Sequence, residues 1–147
     1  MKKAIYASPQ DAEAAFYEAL TKSDLDAMMS VWADDDDIYC VHPNGARLSG
    51  VERVRGSWRQ IFASGQTLRF QLREQQHVQG MMLSVHSVYE YVTVTGETRP
   101  RSPVIATNVY LRTERGWRMV AHHASPAPAT TSTEAEPRRA AAPKTLH

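Results

Sequence analysis

The chain has 147 residues, enough for one ordinary domain with a single core and too few for a typical pair of domains. Its 17 Lys and Arg residues nearly balance its 16 Asp and Glu residues, so it lacks the basic excess that a nucleic-acid partner requires. It has no long apolar run, no secretory signal and a single cysteine, Cys40, which predict a cytoplasmic protein with no membrane segment and no intrachain disulfide.

The N-terminal part of the chain has the apolar period of helices. Ser8 followed by Pro9 predicts the start of a first helix, and Ser23–Asp24 predicts a second, shorter one. A capping box at residues 49–52 predicts the start of a third helix. Apolar residues recur every three or four positions in each segment. The stripes are Ala12, Ala15, Phe16, Ala19 and Leu20; then Leu25, Met28, Met29 and Trp32; then Val51, Val54, Trp58, Ile61 and Phe62.

A short strand over residues 38–42 is predicted between the second and third helices, and the turn residues 43–45 end it. From residue 67 the apolar period changes to two, which is typical of half-buried strands. Four strands are predicted in antiparallel order over residues 68–78, 82–94, 104–111 and 117–123. Three helices followed by a strand meander indicate an α+β protein, with the helices gathered on one face of a curved antiparallel sheet.

The last 22 residues, 126–147, differ in composition from the rest of the chain. They hold four of the eight prolines and no Phe, Trp, Tyr, Ile or Val. Such a segment buries too little apolar surface to offset the entropy of ordering it. We therefore predict a domain over residues 1–125 and a disordered Pro- and Ala-rich tail over residues 126–147.

Two stretches carry a resemblance to a known family: WADDDDIYCVHPNGARLSGVERVRGSWRQIF and ATNVYLRTERGWRMVAHHASPAP. With the helix pair they resemble the nuclear transport factor 2-like superfamily, in particular its ketosteroid isomerase-like and polyketide cyclase-like bacterial members. The second stretch is also similar to the association domain of calcium/calmodulin-dependent kinases. The resemblance covers about residues 8–126. It implies a cone-shaped sheet wrapped around three helices, with a deep apolar pocket open at one end.

The resemblance also implies site residues. The base position of ketosteroid isomerases falls on His42, the tyrosine position on Phe16 or Tyr17, and the neutral-acid position on Asn108. A histidine keeps a group that moves protons near neutral pH, and an asparagine keeps a hydrogen-bond donor for an oxyanion. The implied activity is a cofactor-independent isomerisation, dehydration or cyclisation that begins with proton abstraction next to a carbonyl. A lone histidine beside a Pro turn is also a common structural residue, so both interpretations of His42 stay open.

The large apolar side chains fit either the wall of a pocket for a small apolar molecule or an ordinary core. Those expected to contact a ligand are Phe16, Trp32, Trp58, Phe62 and Tyr110. No cofactor and no metal are expected, because His122 and His123 are adjacent on a strand and point to opposite faces. The resemblance implies a homodimer through the outer sheet face. The alternative function is a non-catalytic ligand-binding or homodimeric assembly module.

Overall fold

The computed structural model describes residues 4–99 and 101–128. Three helices precede the long strands, and two short strands lie between the second and third helices. In chain order the elements are α1 (Pro9–Lys22), α2 (Leu25–Val31), β1 (Tyr39–Val41), β2 (Arg47–Ser49), α3 (Val51–Ala63), β3 (Leu68–Gln79), β4 (Leu83–Val94), β5 (Val104–Thr113) and β6 (Gly116–Pro126). The predicted helices and strands are present, and β2 is an addition that the sequence did not predict.

The first two helices begin at the predicted caps. The Ser8 side chain accepts a hydrogen bond from the backbone nitrogen of Asp11, and the Asp24 side chain accepts one from Ala27, each at 3.0 Å. The capping box predicted for α3 is wrong. Gly50 is the N-cap residue and makes no side-chain cap bond, because the chain enters α3 directly from β2 with a positive φ of 91° that favours glycine.

All six strands form one sheet in the order β2-β1-β6-β5-β4-β3, which does not close on itself. Strands β3 to β6 make the predicted antiparallel meander. Strand β1 pairs with β6 in parallel, with Cys40 opposite His122, so the sheet is mixed rather than wholly antiparallel. The α+β cone fold is confirmed. The parallel pairing of β1 with β6 places the end of β1 next to His122 and His123 of β6.

The two faces of the sheet differ in burial. Inner residues of β4 and β5, such as Val88, Ala106 and Tyr110, are fully buried in the same core as the helices. On β6, His122 is buried and His123 is exposed, so the pair points to opposite faces as predicted. The outer face retains half-exposed apolar side chains, namely Val85, Tyr89, Ile105 and Val109.

The last strand continues to Pro126, one residue beyond the predicted domain boundary. The backbone nitrogen of Ala127 then donates to the oxygen of Pro103 at 2.9 Å, and Ala127 is buried. The rest of the predicted tail, 129–147, lies outside the described residues. Within the described ranges, no helix is long and apolar enough to cross a membrane.

Candidate functional site

A chain of four buried polar side chains crosses the interior of the cone. The Tyr17 hydroxyl donates to Glu90 Oε2 at 2.6 Å and accepts from Asn108 Nδ2 at 3.0 Å. The other end of the amide, Asn108 Oδ1, lies 2.6 Å from His122 Nδ1. Because an amide oxygen only accepts, the proton of the His122 ring is on Nδ1. The four residues come from α1, β4, β5 and β6, so the chain links the first helix to three adjacent strands.

Burial sets the protonation of this chain. It raises the pKa of Glu90 from 4.5 to about 7, and the hydrogen bond from Tyr17 offsets only part of that rise. It also lowers the pKa of His122 from 6.5 to about 3, with smaller contributions from His42 and His123. His122 is therefore a neutral imidazole at neutral pH. Glu90, by contrast, gains or loses its proton near pH 7.

His42 lies just past the end of β1 and is half-buried. Its Nε2 is 3.0 Å from Ser57 Oγ, and that hydroxyl donates to the Val54 carbonyl at 2.8 Å. The serine oxygen therefore accepts from His42 Nε2, which leaves a lone pair on Nδ1. The only described polar neighbour of Nδ1 is Cys40 Sγ, at 4.0 Å. Partial burial lowers the pKa of His42, so the ring is neutral at neutral pH and Nδ1 can accept a proton.

Trp58 lies directly against His42, with the two ring centroids 4.7 Å apart and the rings nearly perpendicular. The indole Nε1 is buried and has no hydrogen-bond partner among the described residues. A buried N–H without a partner is costly and rare in proteins. A proton acceptor, His42 Nδ1, and a hydrogen-bond donor, Trp58 Nε1, thus belong to adjoining rings, and both can still take a partner.

Residues 10–130 match the family described as SnoaL-like domain. The chain belongs to this family. It is part of the nuclear transport factor 2-like (NTF2-like) superfamily, so the resemblance inferred from sequence is confirmed. The SnoaL-like family includes isomerases and cyclases as well as members of unknown function.

Two solved structures and one curated protein show how close the similarity is. A proposed calcium/calmodulin-dependent protein kinase type II association domain from Thiobacillus denitrificans is 40% identical, with a TM-score of 0.81, and the match covers 86% of this chain and 100% of that one. A proposed dehydratase of the NTF2-like family from Streptomyces avermitilis is 31% identical, with a TM-score of 0.73, over 80% and 92% of the two chains. The F-box protein SKIP8 of Arabidopsis thaliana is 28% identical over 110 residues, which are 75% of this chain. The chain spans about half the length of that curated relative, 46%.

In this SnoaL-like domain the centre of the cone is packed by aromatic rings. The Phe16 ring lies 5.8 Å from Trp58 and 5.0 Å from His122, and Trp58 and His122 are 6.1 Å apart. Trp58 and His122 therefore connect His42 to Asn108, and the structure shows no direct contact between the two residues expected to share a pocket. Asn108 and Tyr17, by contrast, are in direct contact.

The other residues expected to contact a ligand fall into two groups. Phe62 is half-buried on α3, and its ring centroid lies 5.8 Å from that of Trp58. Trp32 and Tyr110 are fully buried elsewhere. Trp32 ends α2 and bridges to β6, and the Tyr110 ring packs 4.8 Å from His86.

Sequence reasoning missed Glu90 and His86 on β4 and did not assign a role to His122. All three occupy inward positions of strands, where the alternation predicts apolar residues. Buried polar residues at such positions need partners, so the break in the pattern was a usable signal. Their partners on α1 were not readable, because contacts between a helix and a strand depend on tertiary packing.

Proposed function

We propose that the protein binds a small, largely apolar carbonyl compound at the mouth of the cone and transfers a proton at the carbon next to the carbonyl, without a cofactor. The observation that supports this proposal is the adjacency of two groups: an imidazole nitrogen whose only described polar neighbour is a thiol sulfur 4.0 Å away, and an indole N–H that has no described partner. His42 Nδ1 has an available lone pair, and Trp58 Nε1 has an available N–H, on rings 4.7 Å apart.

Each group has a distinct part in the proposed reaction. His42 Nδ1 takes the proton from the carbon, and the electron pair of the broken C–H bond moves to the carbonyl oxygen to form an enolate. The Trp58 N–H is buried, so neighbouring side chains must move for the ligand oxygen to reach it. It then donates to that oxygen away from water, where a hydrogen bond is stronger. Return of the proton from His42 to another carbon completes an isomerisation. Alternatively, His42 gives the proton to a hydroxyl on the next carbon, the C–O bond breaks as the C=C bond forms, and the release of water completes a dehydration.

The predicted roles of Tyr17 and Asn108 depend on Glu90. With Glu90 ionised, the Tyr17 proton is held by the carboxylate at 2.6 Å and is not available to a ligand. When Glu90 is protonated, its O–H can donate to the Tyr17 oxygen instead. The Tyr17 hydroxyl stays protonated and can then donate its hydrogen bond to a ligand in the interior. Asn108 keeps a second amide hydrogen, so both residues stay proposed donors for a polar group that reaches below Trp58.

The apolar body of the ligand would rest on the rim of the cone. Four half-buried apolar side chains of α3 and β3 pack against the core there, namely Ile61, Phe62, Phe70 and Leu72. Apolar walls with a few placed polar groups are typical of small-molecule sites. These side chains support binding by size and apolar character.

The direct test is deuterium exchange at the carbon next to the carbonyl, followed by proton NMR in D2O on a panel of small cyclic ketones and enones. His42→Gln is expected to reduce the exchange rate at least about 100-fold, and Trp58→Phe, which keeps a ring but removes the N–H, about 100-fold as well. Because the pKa of His42 is lowered, the acid limb of the wild-type rate profile should lie below pH 6.5.

His123→Gln is the matched control, because this histidine is exposed on the opposite face of the sheet. It should exchange at the wild-type rate. Exchange that survives both His42→Gln and Trp58→Phe, or a wild-type rate equal to that of buffer for every compound, rejects the proposal.

A second measurement tests the geometry without a substrate. Nitrogen-15 NMR of the histidine rings distinguishes the two neutral tautomers. We expect the proton of His42 on Nε2 and that of His122 on Nδ1, as their partners require. A His42 ring with its proton on Nδ1 would remove the proposed base.

A second proposed function is assembly of a homodimer through the outer sheet face. It is favoured by the half-exposed apolar residues Val85, Tyr89, Ile105 and Val109, which lie side by side on adjacent strands, and by the 40% identity to a proposed kinase association domain. The two functions are compatible, since the reacting rings face inward. The cytoplasm, where a lone thiol stays reduced, is the compartment we propose for both.

Sedimentation velocity of the full chain tests the assembly. Ile105→Glu should convert a dimer to a monomer at micromolar concentration, because it places a charge in the apolar face. Ile5→Glu is the matched control, since Ile5 is 71% exposed and precedes α1, outside the strands of the sheet. A wild-type monomer, or a dimer that Ile105→Glu leaves intact, contradicts the assignment.

A further inference from the structure

A second polar cluster lies one helical turn before Tyr17 on α1 and is formed by Glu13, His77 and His86. His77 Nε2 is 3.6 Å from Glu13 Oε1, and His86 Nδ1 is 3.2 Å from Glu13 Oε2. One ligand atom from each residue lies within 4.8 Å of the others. The two histidines are directly paired across β3 and β4, and the carboxylate reaches them from the helix.

Two buried ligand atoms of this cluster lack hydrogen bonds. Glu13 Oε2 and His86 Nδ1 face each other at 3.2 Å, yet neither has a hydrogen-bond partner among the described residues. Glu13 is 5% exposed and His86 0%. The hydroxyl of Tyr110, whose ring packs against His86, is also buried without a partner. Three such atoms close together are unusual in a folded interior, where buried polar groups are normally satisfied.

We propose that Glu13, His77 and His86 bind a divalent transition-metal ion of the Zn²⁺ class. Two imidazole nitrogens and one carboxylate are a ligand set that suits zinc and its neighbours in the first transition row. Two ligand atoms each about 2.1 Å from one ion in tetrahedral geometry stand roughly 3.4 Å apart. The His86 and His77 nitrogens lie 3.2 and 3.6 Å from Glu13, but from its Oε2 and its Oε1 respectively, so the three ligands meet at one ion only after a side chain moves.

Neighbouring groups support the ligands. Ser84 Oγ lies 2.9 Å from His86 Nε2. When the ring nitrogen donates to this hydroxyl, Nδ1 presents its lone pair to the carboxylate, and a cation between them relieves the repulsion.

Binding requires one movement and leaves one position open. The two imidazole rings are stacked with centroids 3.8 Å apart, so their lone pairs do not converge on one point. His77 must turn about its side-chain bonds, and its 29% exposed side chain is free to do so. Three protein ligands leave a fourth position, which solvent can reach beside His77. An open position is typical of zinc sites that carry out chemistry rather than of purely structural ones.

This proposal does not depend on the proposed function, because the two sets of residues do not overlap. The expectation of no metal considered His122 and His123, alone or with His42 and a carboxylate, and none of these histidines takes part in this cluster. Sequence spacing did not reveal the site, since its ligands are brought together by the pairing of β3 with β4 and the packing of α1.

The test is calorimetric titration of the metal-stripped full chain with Zn²⁺. We expect one saturable equivalent per chain, and binding at least 10-fold weaker in His77→Gln and in Glu13→Gln. His77→Gln is the more secure variant, because this side chain is partly exposed and its loss leaves the core intact. His123→Gln removes a histidine elsewhere and should bind as the wild type does.

Histidine ring NMR supplies a readout that does not depend on the variants. Zn²⁺ should shift the ring signals of His77 and His86 together and leave those of His42 and His122 in place. Absence of a one-to-one saturable phase, or His77→Gln binding equal to wild type, would mean an adventitious surface ion only and overturn the proposal. Shifts confined to His42 would overturn it as well.

Discussion

Replacing Glu90 with glutamine should change how stability depends on pH. Burial raises the pKa of Glu90 from 4.5 to about 7, so between these values the folded chain holds a proton that the unfolded chain has lost. Raising the pH through this window therefore favours unfolding, by about 1.4 kcal/mol per pH unit. Because Glu90 is only 5% exposed, solvent screening removes little of the effect. The contribution of Glu90, fully present below pH 4.5, falls by about 3 kcal/mol on reaching pH 7.

His122 has the opposite effect on stability. Its pKa is lowered from 6.5 to about 3, so in that window the unfolded chain binds a proton that the folded chain does not. Stability then rises with pH by the same amount per unit, about 5 kcal/mol in all. Between pH 4.5 and 6.5 the two contributions nearly cancel in the wild type. Glu90→Gln removes one of them and should show a steep rise in stability with pH.

The assay is urea unfolding followed by tryptophan fluorescence at half-unit steps from pH 4.5 to 7.5. The free energy of unfolding of the wild type minus that of Glu90→Gln should fall by about 3 kcal/mol from pH 4.5 to 7, since groups common to both proteins drop out of the difference. Glu114→Gln, at an exposed turn, is the control and should stay within about 0.5 kcal/mol of the wild type throughout. If the difference in unfolding free energy between the wild type and Glu90→Gln stays constant across this pH range, the pKa of Glu90 is not raised by burial.

Three further changes test other parts of the structure. Tyr17→Phe leaves its carboxyl and amide partners unpaired and should cost about 1–3 kcal/mol in urea unfolding; a loss under about 0.5 kcal/mol would show that water replaces the hydroxyl. Cys40 should react with Ellman's reagent far more slowly in the native protein than in urea, because burial raises the pKa of its thiol to about 12; equal rates would contradict that burial. Gly116→Ala should destabilise by about 1–3 kcal/mol, since φ is +89° and a Cβ would meet the Tyr6 backbone oxygen at 2.7 Å, whereas Gly56→Ala, with nothing within 4 Å, should be neutral or stabilising by calorimetry.

Local patterns in the sequence predicted most of the fold. The caps at Ser8 and Asp24 and the alternation from residue 68 onward depend on neighbours within a few positions, and the structure follows them. The strand Arg47–Ser49 was missed because an alternation of apolar and polar residues cannot be recognised over three residues. The parallel pairing of β1 with β6 joins distant segments, and no local pattern encodes it.

The sequence predicted which strand residues of the candidate site face inward. It did not predict which side chains those residues contact. Alternation correctly placed Asn108 on the inner face of β5, because burial on a strand has a period of two. That Trp58 and His122 stand between Asn108 and His42 follows from the angle at which α3 meets the sheet. The available N–H of Trp58 likewise depends on what surrounds the ring, which side-chain identity alone does not specify.

The parallel pairing of β1 with β6 has a consequence for how the protein matures during translation. The first short strand has its partner at the far end of the domain, so closing that long loop carries the entropy cost of a non-local contact. His42 is held beside Trp58 only once the final strand has left the ribosome and docked. A nascent chain stalled before residue 116 would lack β6, the strand with which β1 pairs and beside which His42 is positioned.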